Sequence, residues 1–385
     1  MSFLTTLASA FKGGGGSSHV PIGRGFISPW ATAFESPART PPFDYSSAVR
    51  EGYLANPVAQ RSVRIVAEGV GGAPLVAEDP ALEKLVRGSA GTTPLLEVLA
   101  AQLLLHGNAY VQVIKDAAGP SGSRPVELFP LRPERVSVVA GADGWPTAYA
   151  YKLGGETLTI APEDEAGWPN LVHLRSFNPA DDHYGAGCLA AAAQAVAVHN
   201  AASQWNRALL DNAARPSGAL VYAPGDGAPL APDQFERLKE ELAAAYQGAG
   251  NAGRPMLLEG GLSWQSMALS PADMDFAGLK AAAARDIALA FGVPPMLLGL
   301  PGDNTYANFR EAGRALWRLT LLPLAGRILD GLGQGLSPWF AGRRLRVDLD
   351  RVPALAEDRQ TLWAQVSAAD FLSDQEKRAM LGIEP

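Results

Sequence analysis

Apolar positions along this chain change period several times, and each change marks a boundary. Tyr45 to Val70 reads as one helix, and Thr93-Pro94 caps a second that stops at Gly107. The period then becomes two. Short strands are predicted over Ala109 to Ile114, Arg135 to Val139, Thr147 to Leu153, Thr157 to Ile160 and Leu171 to Arg175. Thr147, Tyr149, Tyr151 and Leu153 share one face of the third strand. Lys152 is the one basic residue interleaved there, so the aromatic ladder reads as sheet core rather than a platform for bases.

Helical spacing returns at an alanine-rich segment, Gly187 to Ala213, about 40 Å long at 1.5 Å per residue. Leu189, Ala193, Val196, Asn200, Ser203 and Arg207 line one side, and alanines keep most other faces small. Such a helix fits the centre of a monomer and a ring of identical helices equally well. A strand, helix, strand unit follows: Gly218 to Tyr222, then Pro232 to Tyr246 with Phe235, Leu238, Leu242 and Ala245 on one face, then Met256 to Leu258 and Leu262 to Met267. Ser270-Pro271-Ala272-Asp273 opens another helix, running to about Phe291.

The stretch FGVPPMLLGLPGDNTYANFR, Phe291 to Arg310, then joins two helices. Pro294, Pro295 and Pro301 remove backbone donors, while Gly292, Gly299 and Gly302 allow positive φ, so the linker is not helical. Its middle is apolar (Met296, Leu297, Leu298, Leu300), which suits a buried turn or a loop pressed against something. Asp303, Asn304 and Thr305 are capping residues for a long helix with Phe309, Leu316, Thr320, Leu324, Ile328 and Leu332 on its stripe. Pro323 predicts a kink near Thr320 to Leu322. After it come an alternating strand, Arg343 to Asp350, a helix from about Ala354 to Ala368, and a short helix capped by Ser373-Asp374 and ended by Gly382. The fold class is α+β.

Composition narrows the function. One cysteine, Cys188, excludes an intrachain disulfide. The longest apolar run, Ala186 to Val198, falls short of a membrane span. Phe3, Leu4, Leu7 and Phe11 resemble a short amphipathic helix, but no Lys or Arg precedes Lys12, so a signal peptide is not expected. GGGGSS at 13–18 and the proline-rich stretch to Pro42 read as a linker and an extended arm. A formal charge of −7 argues against a surface that grips nucleic acid through many phosphate contacts.

Enzyme chemistry finds little support. His173, Asp181, Asp182, His183 and Cys188 are metal-capable types, yet their spacing matches no ligand pattern, and Asn178-Pro179 with Gly185 signals a capped turn instead. Gly13 to Gly16 lacks the rest of a P-loop, and Gly331 to Gly335 follows a helix rather than a strand. No catalytic residue, cofactor or metal is assigned. Arg310, Arg314 and Arg318, four residues apart beside Trp317, form a basic stripe suited to a subunit interface or to DNA, with the interface favoured because guanidinium forks suit carboxylate pairing.

The order of helix, FGVPPMLLG, glycine-containing loop, NTYAN and TLLPL resembles the portal proteins of tailed double-stranded DNA bacteriophages and phage-like gene transfer particles. NPVAQRSVRIVAEGVGGAP (Asn56 to Pro74), GNAYV (Gly107 to Val111), HLRSFNPADDHYG (His173 to Gly185), NAARPSGAL (Asn212 to Leu220), NAGRPMLLEGG (Asn251 to Gly261) and SDQEKRAMLGIEP (Ser373 to Pro385) fall in the same order. Together they span about residue 50 to the end.

This resemblance implies a noncatalytic subunit of a ring, of twelve copies in the family's pattern, at a unique capsid vertex of a virion or phage-like particle assembled in the bacterial cytoplasm. It implies an N-terminal arm (1–44), an α/β wing (45–185), a stem helix (186–213), a clip (214–269), a second stem helix (270–292), a channel loop (293–304), a kinked wing helix (305–335) and a C-terminal wing with a small crown (336–385). Val293, Pro294, Pro295, Leu300, Gly302, Asp303 and Asn304 would then form the channel loop, with Ala193, Val196, Asn200 and Lys280 in the stem. Expected partners are other copies, double-stranded DNA passing without sequence preference, the large terminase subunit, the major capsid protein and a head-tail adaptor, with no membrane. The rival readings are another virion structural protein, adaptor or shell, and a metal-dependent hydrolase centred on His173, Asp181 and His183.

Overall fold

The computed structural model describes residues 44–116, 123–211, 218–223, 231–246, 262–266, 276–300 and 306–382. The chain divides into two units, Met1–Phe43 and Asp44–Pro385. The first, with the predicted arm and amphipathic stretch, lies outside the described residues, as do Met256 to Leu258 and the Ser270 to Asp273 cap.

The second unit opens with a correction. The helix expected over Tyr45 to Val70 is two helices: α1 (Tyr45–Ala48) continues as a π-helical turn, Val49–Leu54, and α2 is Pro57–Gly71. Pro57 excludes the helical region for the residue before it, and Asn56 sits extended at φ −107°, ψ 113°. There its side chain caps α2. Next come β1 (Leu75–Ala77), α3 (Pro80–Val86), β2 (Ser89–Ala90), β3 (Thr93–Pro94) and α4 (Leu95–Leu105). Thr93-Pro94 therefore pairs as strand, and Pro94 precedes α4 without a side-chain capping bond.

Six strands follow: β4 (Asn108–Lys115), β5 (Pro125–Leu131), β6 (Val136–Ala140), β7 (Pro146–Leu153), β8 (Glu156–Ile160) and β9 (Leu171–Arg175). They form two antiparallel sheets, ordered β5-β4-β9 and β6-β7-β8. Pro125 and Pro130 hide β5 from a sequence reading, and β5 is accordingly an edge strand. Tyr149 on β7 is buried with Tyr110, Leu131, Val136, Ile160 and Leu171, and Tyr151 packs alongside, while Leu153 at the strand end is exposed. The aromatic face is thus sheet core over half its length.

The remaining elements are α5 (Cys188–Asp211), β10 (Gly218–Tyr222), α6 (Pro232–Tyr246), β11 (Leu262–Ser266), α7 (Phe276–Ala290), α8 (Tyr306–Leu316), α9 (Leu322–Gly335), β12 (Leu345–Val347), α10 (Ala356–Ser367) and α11 (Asp374–Leu381). β10 pairs antiparallel with β11, and β1 with β12. A main core joins α2, α4, α9 and the inner face of β4 through Val66, Val70, Leu99, Leu103, Ile328 and Leu332. Each such side chain contributes about 1.5–3 kcal/mol on burial. On α5 Leu189, Ala192, Val196, His199 and Ala202 are buried, and the helix packs along α7, where Ala283, Ala284, Ile287 and Ala288 are buried, as is Phe291 just after it. At the C-terminus, Ser373 and Glu376 form a capping box, and Gly382 ends α11 at φ +76°.

Candidate functional site

The linker after α7 begins as an anchor. The Gly292 φ is +65°, and the Val293 N–H returns to the Ala288 carbonyl at 2.9 Å. Val293 is 2% exposed and belongs to the main core. Its apolar side chain is therefore packed within the chain's own core. Pro295–Leu298 form a 3-10 turn, ended by Gly299 at φ +71°. Leu297 and Leu298 pack on the core; Pro294, Pro295 and Leu300 are half-buried. Gly302, Asp303 and Asn304 lie outside the described residues.

The kink lies beside this anchor. Between α8 and α9 the chain widens into a π-helical turn, Trp317–Leu321, closed by the Leu322 N–H to the Trp317 carbonyl. Pro323, with no N–H and a ring that crowds the preceding turn, accounts for the widening. The Thr320 hydroxyl donates to the Gly292 carbonyl at 2.6 Å, tying linker to kink. A Cβ on Gly292 would lie 2.8 Å from Thr320 Oγ1, so that position has neither the torsion nor the room for a side chain. Arg285, Asp286, Leu289, Pro294, Leu319 and Thr320 border a cavity of about 510 Å³ here, and Leu289 and Leu319 are exposed at its edge.

Of the stem residues, Val196 is buried toward α7, while Ala193 is half-buried. The Asn200 Nδ2 donates to the Glu51 carbonyl at 3.0 Å. Lys280 on α7 lines, with Glu51, His199 and Asn200, a cavity of about 610 Å³.

Arg310, Arg314 and Arg318 all meet carboxylates within the chain. Arg310 pairs with Glu357 at 2.7 Å, Arg314 with Glu357 and Glu311, and Arg318 with Asp358. Glu357 and Asp358 stand in the first turn of α10, where they also complement that helix's N-terminal dipole. The stripe thus clamps α8 to α10 within one chain. Sequence reading missed this because nothing local links residue 314 to 357. A Glu-Asp pair opening a helix was the available signal.

His173, Asp181 and His183 are held by structural bonds. The Asp181 carboxylate accepts from the backbone of His183 and Tyr184, at 2.7 and 2.9 Å, which holds its proton affinity below the usual range. Asn178 Nδ2 donates to the Tyr184 carbonyl, and the Tyr184 hydroxyl accepts from Val138 N–H. His173 stacks on Tyr110 at 4.3 Å, and burial, then Arg175, pulls its pKa down to about 4. Burial pushes the Cys188 thiol up. Among the described residues no three of these types gather as a metal cluster.

Two buried asparagines went unnoticed in the sequence. Asn108 is 1% exposed; its Oδ1 accepts from Gly185 N–H at 2.8 Å and its Nδ2 faces the Gly185 carbonyl and His106 Nδ1. It fastens the segment leading into α5 to the base of β4. Asn56 does the same further along: its Oδ1 caps α2, and its Nδ2 reaches His199 and Asn200 on α5. Asn56-Pro57 carried a readable cap signature, but the distant partners did not.

Paired long helices carrying a small strand-and-helix insert, on a mixed body whose last long helix is broken at a proline, define an α+β structural subunit. The sequence pattern of the phage portal protein family matches residues 54–382, and the chain belongs to that family. A chain in the virion of a native gene transfer agent particle is 51% identical, with a TM-score of 0.67 over 90% of this chain and 95% of that one. A chain in the neck of the native particle, computed with C12 symmetry, is also 51% identical, with a TM-score of 0.67 over 89% and 94%. The probable portal protein of Streptomyces phage phiC31 is 26% identical over 311 residues, 77% of this chain and 65% of that protein.

Proposed function

We propose that twelve copies of this chain close into a ring in the neck of a phage or gene transfer agent particle, at one capsid vertex, with DNA passing along the ring axis. The observation that carries this is the 51% identity, over nearly the whole length of both chains, to a chain in a particle neck computed with C12 symmetry. In this reading residues 45–185 are the wing, α5 and α7 the stem, and 214–269 the clip. The clip meets the large terminase subunit during packaging and a head-tail adaptor afterwards, and the wing meets the major capsid protein. The chain conducts DNA and a partner drives it.

Charge supports a conduit. At −7 per chain the ring has no overall excess of cations to hold phosphates, and a conduit that gripped DNA would have to release it at every step. The loop beyond the Val293 anchor, from Leu300 through Gly302, Asp303 and Asn304, is the part assigned to touch passing DNA, chiefly with its backbone. Deleting Leu300 to Asp303 tests this: rings should still form while DNA packaging or retention falls. Undiminished packaging removes the loop from the mechanism.

A further inference from the structure

His199 is a titratable side chain in a long stretch of α5 without charged residues, and it is 5% exposed. From Cys188 to Trp205 α5 contains no Asp, Glu, Lys or Arg. Its imidazole meets Asn56, which is 1% exposed. The orientation of the Asn56 amide is fixed, because Oδ1 accepts the N–H groups of Val58 and Ala59 at 3.1 and 3.0 Å. Backbone N–H can only donate, so Nδ2 must face α5. Its two hydrogens go to His199 Nδ1 at 3.1 Å and to Asn200 Oδ1 at 2.9 Å. Asn200 is fixed in turn, since its Nδ2 donates to the Glu51 carbonyl at 3.0 Å.

One tautomer satisfies this network. His199 Nδ1 accepts, so the ring is neutral with its hydrogen on Nε2. A proton on Nδ1 would set an N–H against the Asn56 NH₂, two donors with no acceptor between them. Asn56 cannot turn over without abandoning the cap of α2. The imidazolium must therefore move, and the cavity of about 610 Å³ beside it offers the space. The charged groups bordering that cavity are Lys280 of α7, which repels an imidazolium, and Glu51 of the π-helical turn, which attracts one.

We propose that Asn56 and His199 form an acid-operated latch between α5 and the capped start of α2, closed while the imidazole is neutral and opened by a proton on Nδ1. The latch acts within one chain and does not depend on ring closure. Burial first, and then Lys280, lowers the pKa of His199, while a smaller contribution from the Asn200 side chain raises it; the net shift is downward, so the latch stays shut at neutral pH.

Hydrogen–deuterium exchange of the full-length protein at pH 7.5 and 5.0, corrected for the intrinsic pH dependence of exchange, tests the idea. In the wild type, amides of residues 49–59 and 196–204 should lose protection about tenfold or more on acidification, equivalent to roughly 1.4 kcal/mol. His199→Asn keeps an acceptor where Nδ1 stands and cannot be protonated, so its protection there should not change with pH. Lys280→Met removes the neighbouring cation and should move the opening midpoint to higher pH. Equal wild-type protection at both pH values, an acid response undiminished in His199→Asn, or an unmoved midpoint in Lys280→Met each overturns the latch.

Discussion

Gly185 shows how little tolerance one residue can have. A side chain there would press on the Gly107 carbonyl and come within 2.7 Å of Ser176 N, where no flexible side chain exists to yield. Gly185→Ala should cost several kcal/mol and remove most soluble, folded protein, as read by expression and melting temperature. His173 makes a second residue-scale prediction. Its folded pKa, about 4, lies below the unfolded value, so its contribution is complete above pH 6.5 and disappears as pH falls toward 4. About 3 kcal/mol is at stake. Calorimetric melting of the wild type should show the loss, and His173→Phe should flatten the curve in that window. Sequence alone flagged His173 and Asp181 and read their segment as a capped turn, because Asn-Pro and Gly mark turns locally. It did not reveal Asn56 or Asn108 as clamps, since the distant partners they hold lie 65 to 144 residues away.

Elements follow the same division between local and distant causes. The proline-dependent kink was legible in sequence, because Pro323 acts on its own helix. The form of the kink, a π-helical turn whose Thr320 holds the Gly292 carbonyl, was not, because that bond spans 28 residues. Thr320→Val removes the donor at little change in shape and should destabilise the chain by about 1 kcal/mol in urea unfolding. An unchanged midpoint would assign the hydroxyl no role. The break at Asn56 shows the reverse error: helical composition on both sides masked a stop that Pro57 imposes. The clamp of α8 on α10 is largely solvent-exposed, so each pair adds little on its own. Arg314 is its most enclosed cation, and Arg314→Glu would face Glu357, Asp358 and Glu311 together. A lowered melting temperature of the single chain supports the intrachain clamp. Normal melting with failed assembly would restore the interface assignment.

At the scale of the molecule, the α+β class and the order of parts were readable because each long helix carries its own stripe, caps and breakers. What escaped was the sharing of surfaces. The first half of the linker serves the core through Val293, Leu297 and Leu298, a use of the loop that its sequence did not announce. Averaged micrographs of the purified native assembly, viewed down its axis, test the central claim most directly. Twelve densities around an open hole, in a particle of about twelve times the 40.4 kDa chain, are the predicted result. A single compact particle of one chain's mass, in solution and in particles alike, would contradict it.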